Sequence, residues 1–241
     1  MIKMPIVDLH MHVVPNYDDG SQSIAESIAM LRLSSDQGVT DVFCTSHNGY
    51  CEKDAERYHK SFSNLQKAIK EAKIPIRIHQ GCEILCAGEY IEDIVYGLEK
   101  KVFQTLGNTR YVLTELYSDA KPSEALYIVK SLREQGYIPI IAHMERNYNI
   151  TGRMVGILIA SGAKIQVNAI SFCDEYDDNI KGRARKMLDN GYVHFLGSDA
   201  HRIDHRPPNL ASGAQYIMNT CEADMAKKIL YDNAKTLLFG E

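Results

Sequence analysis

With 241 residues, 45% of them hydrophobic and 24% charged, the chain has the make-up of an ordinary globular protein and a length that suits one α/β domain. A formal net charge of −4 without a basic block argues against nonspecific nucleic-acid binding, and no run of about 18 apolar residues exists to span a bilayer. The start, Met1-Ile2-Lys3-Met4-Pro5, lacks the apolar core of a secretory signal, so a single cytoplasmic domain over residues 1–241, without membrane insertion, is expected.

The predicted elements alternate strand and helix. The opening run Ile6-Val7-Asp8-Leu9-His10-Met11-His12 reads as a strand. Ser23 and Glu26 form a capping box, Ile24, Ile28 and Leu31 repeat at helical spacing, and Gly38 stops that helix. Strand Val39 to Thr45 follows, then a helix from about Ala55 to Ala72, and strand Ile76 to Glu83. A short helix near Glu89 to Tyr96 precedes strand Tyr111 to Glu115. Pro122 and Ser123 open a helix ending at Gly136, and Ile138 to His143 is a strand. A helix to Ser161, strand Lys164 to Asn168, a helix to Asn190, strand Val193 to Gly197 and two closing helices divided near Thr220 complete the chain. Seven strands, each followed by helix and without a glycine-rich dinucleotide loop, predict parallel strands closed into a barrel.

In such a fold every strand ends on the same face, where barrel enzymes build their sites. The residues at those ends are His10 and His12, His47, Glu83, Glu115, His143, Asn168, and Asp199 with His201. Imidazole with carboxylate is a donor mix that suits zinc, iron or manganese, and the convergence predicts one polynuclear metal site. Asp18 and Asp19 compete for one role, since an Asp-Asp-Gly turn uses one carboxylate for its own backbone. His59, His79 and His194 fall on a helix or inside strands and read as packing or surface residues, and Pro207-Pro208 make a shared helix of His201 and His205 improbable. The run Asp174-Glu175-Asp177-Asp178 reads as a solvated loop bordering the site.

Six cysteines without a C-x-x-C pair predict reduced thiols. Cys51 and Arg57 satisfy the C-x5-R spacing of thiol-dependent phosphatases. The intervening Glu52, Lys53, Asp54, Ala55 and Glu56 carry three carboxylates and no glycine, which would repel a phosphate and deny it backbone approach.

The segments DLHMHVVPNYDDG, TSHN, GCEI, LTEL, AHMERN, QVNA and GSDAHRIDHRPPNL, in this order, resemble the polymerase and histidinol phosphatase (PHP) superfamily, most closely its bacterial protein-tyrosine phosphatase branch linked to capsular and exopolysaccharide synthesis. The resemblance covers essentially the whole chain, including the closing DNAKTLLFGE. It implies a distorted seven-stranded α/β barrel with three divalent or trivalent metal ions, manganese or iron foremost, zinc or magnesium otherwise. Carried over by position, it implies a first metal held by His10, His12, Glu83 and Asp199, a second by Glu83, Glu115 and His143, and a third by Asp19, His47 and His201, with Glu83 bridging. Arg146 and Arg206 match arginines that hold phosphate oxygens, and His201 or the third metal would assist the leaving group. Water activated between two metals would attack phosphorus in line. Met144, Asn147 and Asn48 depart from the family pattern, at the rim and not among the ligands.

The implied substrate is a phosphotyrosine protein, a cognate bacterial tyrosine autokinase, with no nucleic-acid partner. A histidinol-phosphate type of small-molecule phosphatase and a noncatalytic regulator of polysaccharide assembly are the alternatives. An unused site would be free to lose buried carboxylates, which weighs against the second of these.

Overall fold

The computed structural model describes residues 4–49 and 51–239; the expectations placed on Met1 to Lys3 and on the terminal Gly240 and Glu241 lie outside them. Eight strands are present among these residues: β1 (Ile6–Met11), β2 (Val39–Cys44), β3 (Arg77–Gln80), β4 (Glu83–Cys86), β5 (Tyr111–Leu116), β6 (Ile138–Ile141), β7 (Lys164–Asn168) and β8 (Phe195–Gly197). They form a three-stranded sheet, β1-β2-β3, and a five-stranded sheet, β4-β5-β6-β7-β8, with every pairing parallel. The α/β class and the parallel order are as expected. The expected single strand from Ile76 to Glu83 is instead two, which raises the count from seven to eight and leaves no single continuous sheet.

The break has a local cause. β3 pairs only with β2, and β4 only with β5. Between them the Gly81 amide donates to the buried Tyr58 hydroxyl, which itself donates to the Cys44 carbonyl. Glu83 then exchanges hydrogen bonds with the segment after β2, its amide donating to Ser46 O and its carbonyl accepting from Asn48 N. Glu83 therefore starts a strand rather than ending one, and the isolated bridge His47↔Glu83 joins the two sheets at this edge. At the other edge the bridge Met11↔Ala200 does the same.

The helices are α1 (Ile24–Asp36), α2 (Glu52–Glu71), α3 (Ile91–Glu99), α4 (Pro122–Glu134), α5 (Gly152–Ala160), α6 (Asp178–Asp189), α7 (Leu210–Thr220), α8 (Ala223–Leu230) and the short α9 (Lys235–Phe239). Ser23 caps α1 by accepting from the Glu26 amide, and the Glu26 carboxylate accepts from Gln22 N, one residue before the position a capping box would use. α2 begins three residues earlier than expected because Cys51 takes the extended N-cap conformation. α9 was not foreseen as a separate helix.

Two apolar clusters result. The larger lies between strands and helices and includes Met11, Leu31, Phe62, Leu65, Ile128 and Ile165. The smaller gathers Val7, Leu9, Phe43, Leu113, Ile140 and Phe195 from the strands with Leu106, Ala234 and Leu237, so the C-terminal segment plugs the space the strands enclose. Gly107 makes the plug possible: it sits at φ +61°, and a Cβ there would lie 2.2 Å from the Leu237 carbonyl oxygen. Gly107→Ala is expected to cost about 2–3 kcal/mol, from left-handed strain and the clash with backbone. A fall in Tm of several degrees by scanning calorimetry would show it, and an unchanged Tm would mean that the plug is dispensable.

Candidate metal centre

The residues expected at the strand ends meet around Glu83, which is 1% exposed. Its Oε2 lies 3.2 Å from His10 Nε2, 3.2 Å from His12 Nε2 and 3.3 Å from His47 Nδ1, and its Oε1 lies 2.9 Å from His143 Nε2. His10 and His12 aim their Nε2 atoms at each other, 3.1 Å apart. Asp199 Oδ1 stands 3.6 Å from His10 Nε2, 3.7 Å from His12 Nε2 and 3.6 Å from His201 Nδ1. Glu115 Oε1 is 3.5 Å from His143 Nε2, and Asp19 Oδ1 is 3.6 Å from Nε2 of both His47 and His201. All nine expected ligands thus share one face of the molecule.

Imidazole lone pairs directed at one another and at buried carboxylates require a cation between them, whether protons or metal. Three groups of ligand atoms lie within 4.8 Å of one another: His12, Asp19, His47 and His201; His10, His12 and Glu83; and His47, Glu83 and Glu115. His12 and His47 each appear in two groups, so the geometry is a continuous cluster with shared ligands. Every donor is nitrogen or carboxylate oxygen, a set that fits manganese, iron or zinc.

The electrostatics show the same demand. Burial alone would lower the His12 pKa, but the Asp18 and Glu83 carboxylates outweigh it and hold it well above the ordinary value. His143 is raised to about 9 against burial, chiefly by its hydrogen bond to Glu83. Burial opposes ionisation of Glu83 and Asp199, yet the surrounding imidazoles hold both pKa values low. Glu115 is raised, by burial and then by the Glu83 charge. His201 is lowered to about 4, by burial and then by its neighbours His12 and Arg206. Its Nδ1 faces its own neighbour's Asp199 carbonyl at 2.9 Å and its Nε2 takes an N–H from Arg206 at 2.9 Å. Nδ1 thus donates to that carbonyl, and Nε2, which faces Asp19 as well as Arg206, is the atom His201 turns to the cluster.

The arginines are also placed differently from the simplest expectation. Arg146 Nη1 and Arg206 Nη1 both bind Asp199 Oδ2, at 3.2 and 3.0 Å, so each orients a ligand while keeping part of its fork at the rim. Arg146 Nη2 further donates to the Tyr176 hydroxyl at 3.4 Å, which ties the acidic loop to the site. His143 at φ +29° and Asp199 at φ +52° hold left-handed backbone without being glycine, a strain that persists where a side chain is required at that point.

Gln166 is a support that the strand-end reading does not name, and it acts with Asp18, one of the two competing aspartates, and with the expected Asn168. Asp18 accepts from His12 Nδ1 at 2.8 Å and from the amides of His47 and Gly20, which fixes the His12 tautomer and leaves Asp19 for the cluster. Gln166 Oε1 accepts from His10 Nδ1 and from the His143 amide, its Nε2 donates to Asn168 Oδ1, and Asn168 Nδ2 donates to Asp199 Oδ2. One amide chain on β7 therefore orients ligands from three other segments. Two amides two residues apart at the end of the strand, Gln166-Val167-Asn168, were the available signal, because alternate residues share a face. Gly197 is required beside them, since a Cβ would stand 2.7 Å from His10 Cβ and 2.8 Å from Gln166 Nε2.

The remaining histidines lie away from the cluster. His79 pairs with Asp41 at 2.8 Å and stacks on Phe43, His59 contacts Gln80, His205 is exposed on the loop after β8, and the half-buried His194 is lowered to about 4 by desolvation and then by Lys164. All six cysteines are free. The residues after Cys51 form α2 and no phosphate loop, and Arg57 is spent on Asn16 O, Tyr17 O and Asp54 while stacking on Tyr17.

A profile of the family described as capsular polysaccharide synthesis, CpsB/CapC, matches residues 6–239. The tyrosine-protein phosphatase CpsB of Streptococcus pneumoniae is 31% identical over 245 aligned positions, covering 98% of this chain and 99% of that protein. The tyrosine-protein phosphatase YwqE of Bacillus subtilis is 30% identical over 237, covering 97% and 91%. A chain from the crystal structures of YwqE from Bacillus subtilis and CpsB from Streptococcus pneumoniae, described as unique metal-dependent tyrosine phosphatases, superimposes with a TM-score of 0.88 at 28% identity over 98% of this chain and 95% of that one. The phosphotriesterase homology protein of Escherichia coli, at TM-score 0.62 and 13% identity, shares the fold.

Proposed function

This chain belongs to the capsular polysaccharide synthesis CpsB/CapC family, and from that premise we infer that it is a metal-dependent protein-tyrosine phosphatase. The observation that carries the reading is the convergence of His10, His12, His47 and His143 on the two oxygens of buried Glu83, a donor set with no nucleophilic side chain in it. Three metal ions, manganese or iron, match the donors, with His10, His12, Glu83 and Asp199 about the first, Glu83, Glu115 and His143 about the second, and Asp19, His47 and His201 about the third. Such ions would supply an acidified water and neutralise phosphoryl charge. The two sheets, bridged at both edges, are read as a distorted PHP-type barrel forming one domain.

The chain's own groups do the rest. Gln166 and Asp18 engage the Nδ1 atoms of His10 and His12 and so turn their Nε2 atoms toward the centre. Arg146 and Arg206 keep Asp199 in place and offer their remaining N–H groups to phosphate oxygens, whose equatorial charge grows toward the transition state. A phenolate leaving group, with a pKa of about 10, asks little of an acid, which agrees with a His201 held neutral. The substrate is then a phosphotyrosine protein, a cognate tyrosine autokinase of the same cytoplasm.

Turnover of a phosphotyrosine peptide and of histidinol phosphate, each with metal and after chelation, tests the reading. Preference for the peptide with metal is expected, preference for histidinol phosphate would replace it with a small-molecule phosphatase, and turnover of neither would leave a noncatalytic regulator. In the same assay Arg206→Lys is expected to lower kcat/KM by roughly tenfold, about 1.4 kcal/mol, by losing the fork. Metal content should stay near wild type, because Asp199 Oδ2 keeps Asn168 and Arg146; loss of metal would make Arg206 a positioning residue for Asp199 alone.

A further inference from the structure

A groove of about 630 Å³ opens beside the metal cluster, between the loop after β2, the ends of β4 and β5, and α3. Its wall includes Leu85, Tyr90, Tyr96, Phe103 and Tyr117. Leu85, Tyr90, Tyr96 and Tyr117 are 38, 52, 60 and 45% exposed. Single exposed tyrosines need no explanation, but four large apolar or aromatic side chains lining one concave surface do. The groove is continuous with the cluster through the backbone: Leu85 lies two residues beyond Glu83 on β4, Tyr117 two beyond Glu115, and Asn48 follows His47 while its Oδ1 accepts from Leu85 N at 3.1 Å. A polypeptide whose phosphotyrosine reaches Glu83 must lay its adjoining residues over the rim, and on this side the rim is this groove.

The chemistry of the wall selects the occupant. Lys100 stands 5.5 Å over the Tyr96 ring and is outweighed by Glu52 and Asp93, so a second phosphate would find no arginine and no net attraction. Flat aromatic and aliphatic surface instead favours a large apolar side chain. We propose that this groove binds a large apolar or aromatic residue adjoining the phosphotyrosine in the protein substrate, and so sets which phosphotyrosines are hydrolysed. The proposal rests on the phosphatase reading above.

The test compares free phosphotyrosine, a phosphotyrosine peptide flanked by Phe and the same peptide flanked by Gly, for wild type and for Leu85→Gln with Tyr96→Ser. Wild type is expected to show a KM about tenfold lower for the Phe peptide than for the Gly peptide. In the double variant the two peptides should become equal, with kcat and the turnover of free phosphotyrosine unchanged and the circular dichroism native. Equal KM values in wild type, or a preference that survives in the variant, would overturn the proposal. So would a wild-type dimer in sedimentation that the substitutions dissociate without altering the kinetics, since a second copy would then occupy the groove. If wild type hydrolyses none of the three substrates, the phosphatase reading falls instead, and fluorescence anisotropy of the two labelled peptides still decides the groove: tighter binding of the Phe peptide, lost in the variant, supports it, and equal binding ends it.

Discussion

Glu83→Ala is expected to lose metal and rate together. Two oxygens of one carboxylate serve four imidazoles: Oε2 within 3.3 Å of His10, His12 and His47, and Oε1 at 2.9 Å from His143. Among the described residues no other carboxylate has that position; Asp199 reaches His10 and His12 only at 3.6 and 3.7 Å, and the half-buried Glu115 reaches His143 at 3.5 Å. Without the central charge, His143 loses the main partner that raises its pKa and His12 loses one of its two, the other being Asp18, and the imidazoles would share only the more distant Asp199 and Glu115. A loss of activity on the order of 10³-fold is expected, with fewer metal ions per chain by elemental analysis. His47→Ala is the control, since His47 has 40% of its side chain exposed and lies at the edge of the cluster; it should keep more metal than Glu83→Ala. Equal metal content in wild type and Glu83→Ala would rule out the bridging role.

Removal of metal is expected to abolish phosphatase activity, and removal of the exposed thiol to leave it intact. Cys51 stands where a thiol-dependent phosphatase would carry its nucleophile, with five residues between it and Arg57. Yet Cys51 caps α2, its Sγ points to Asp54 Oδ2 at 3.6 Å, and Arg57 is held by Asn16 O, Tyr17 O and Asp54. The chain runs straight into α2 instead of looping around Sγ, and the first turn carries Glu52 and Asp54, whose charges repel a phosphate. Dialysis against a chelator should bring turnover to background and added manganese or iron should restore it, while Cys51→Ser should stay within about twofold of wild type. A folded Cys51→Ser protein without activity would move the chemistry to the thiol.

The split of the predicted third strand shows where sequence reading stopped. Ile76 to Glu83 is one β-rich run, and nothing in its pattern marks the point at which it leaves β2 for β5. That point is set by partners far along the chain: the Tyr58 hydroxyl taking the Gly81 amide, and Ser46 and Asn48 engaging Glu83. Hydrogen-bond pairing between strands is a tertiary property, so the strand count could not be read from periodicity.

By itself the sequence determined the alternation of strand and helix, because apolar spacing of two or of about 3.6 is a local consequence of backbone geometry. It also pointed to eight of the nine histidines and carboxylates that gather at one end, all but Asp19, since parallel strands must all finish on the same face. Tertiary structure alone decided which of two adjacent aspartates orients His12 and which joins the cluster, that Gln166 and Asn168 hold three ligands in register, and that Arg146 and Arg206 brace Asp199. Each of these is a contact between residues separated along the chain, where distance and direction of side chains choose among chemically equivalent candidates that sequence leaves equal.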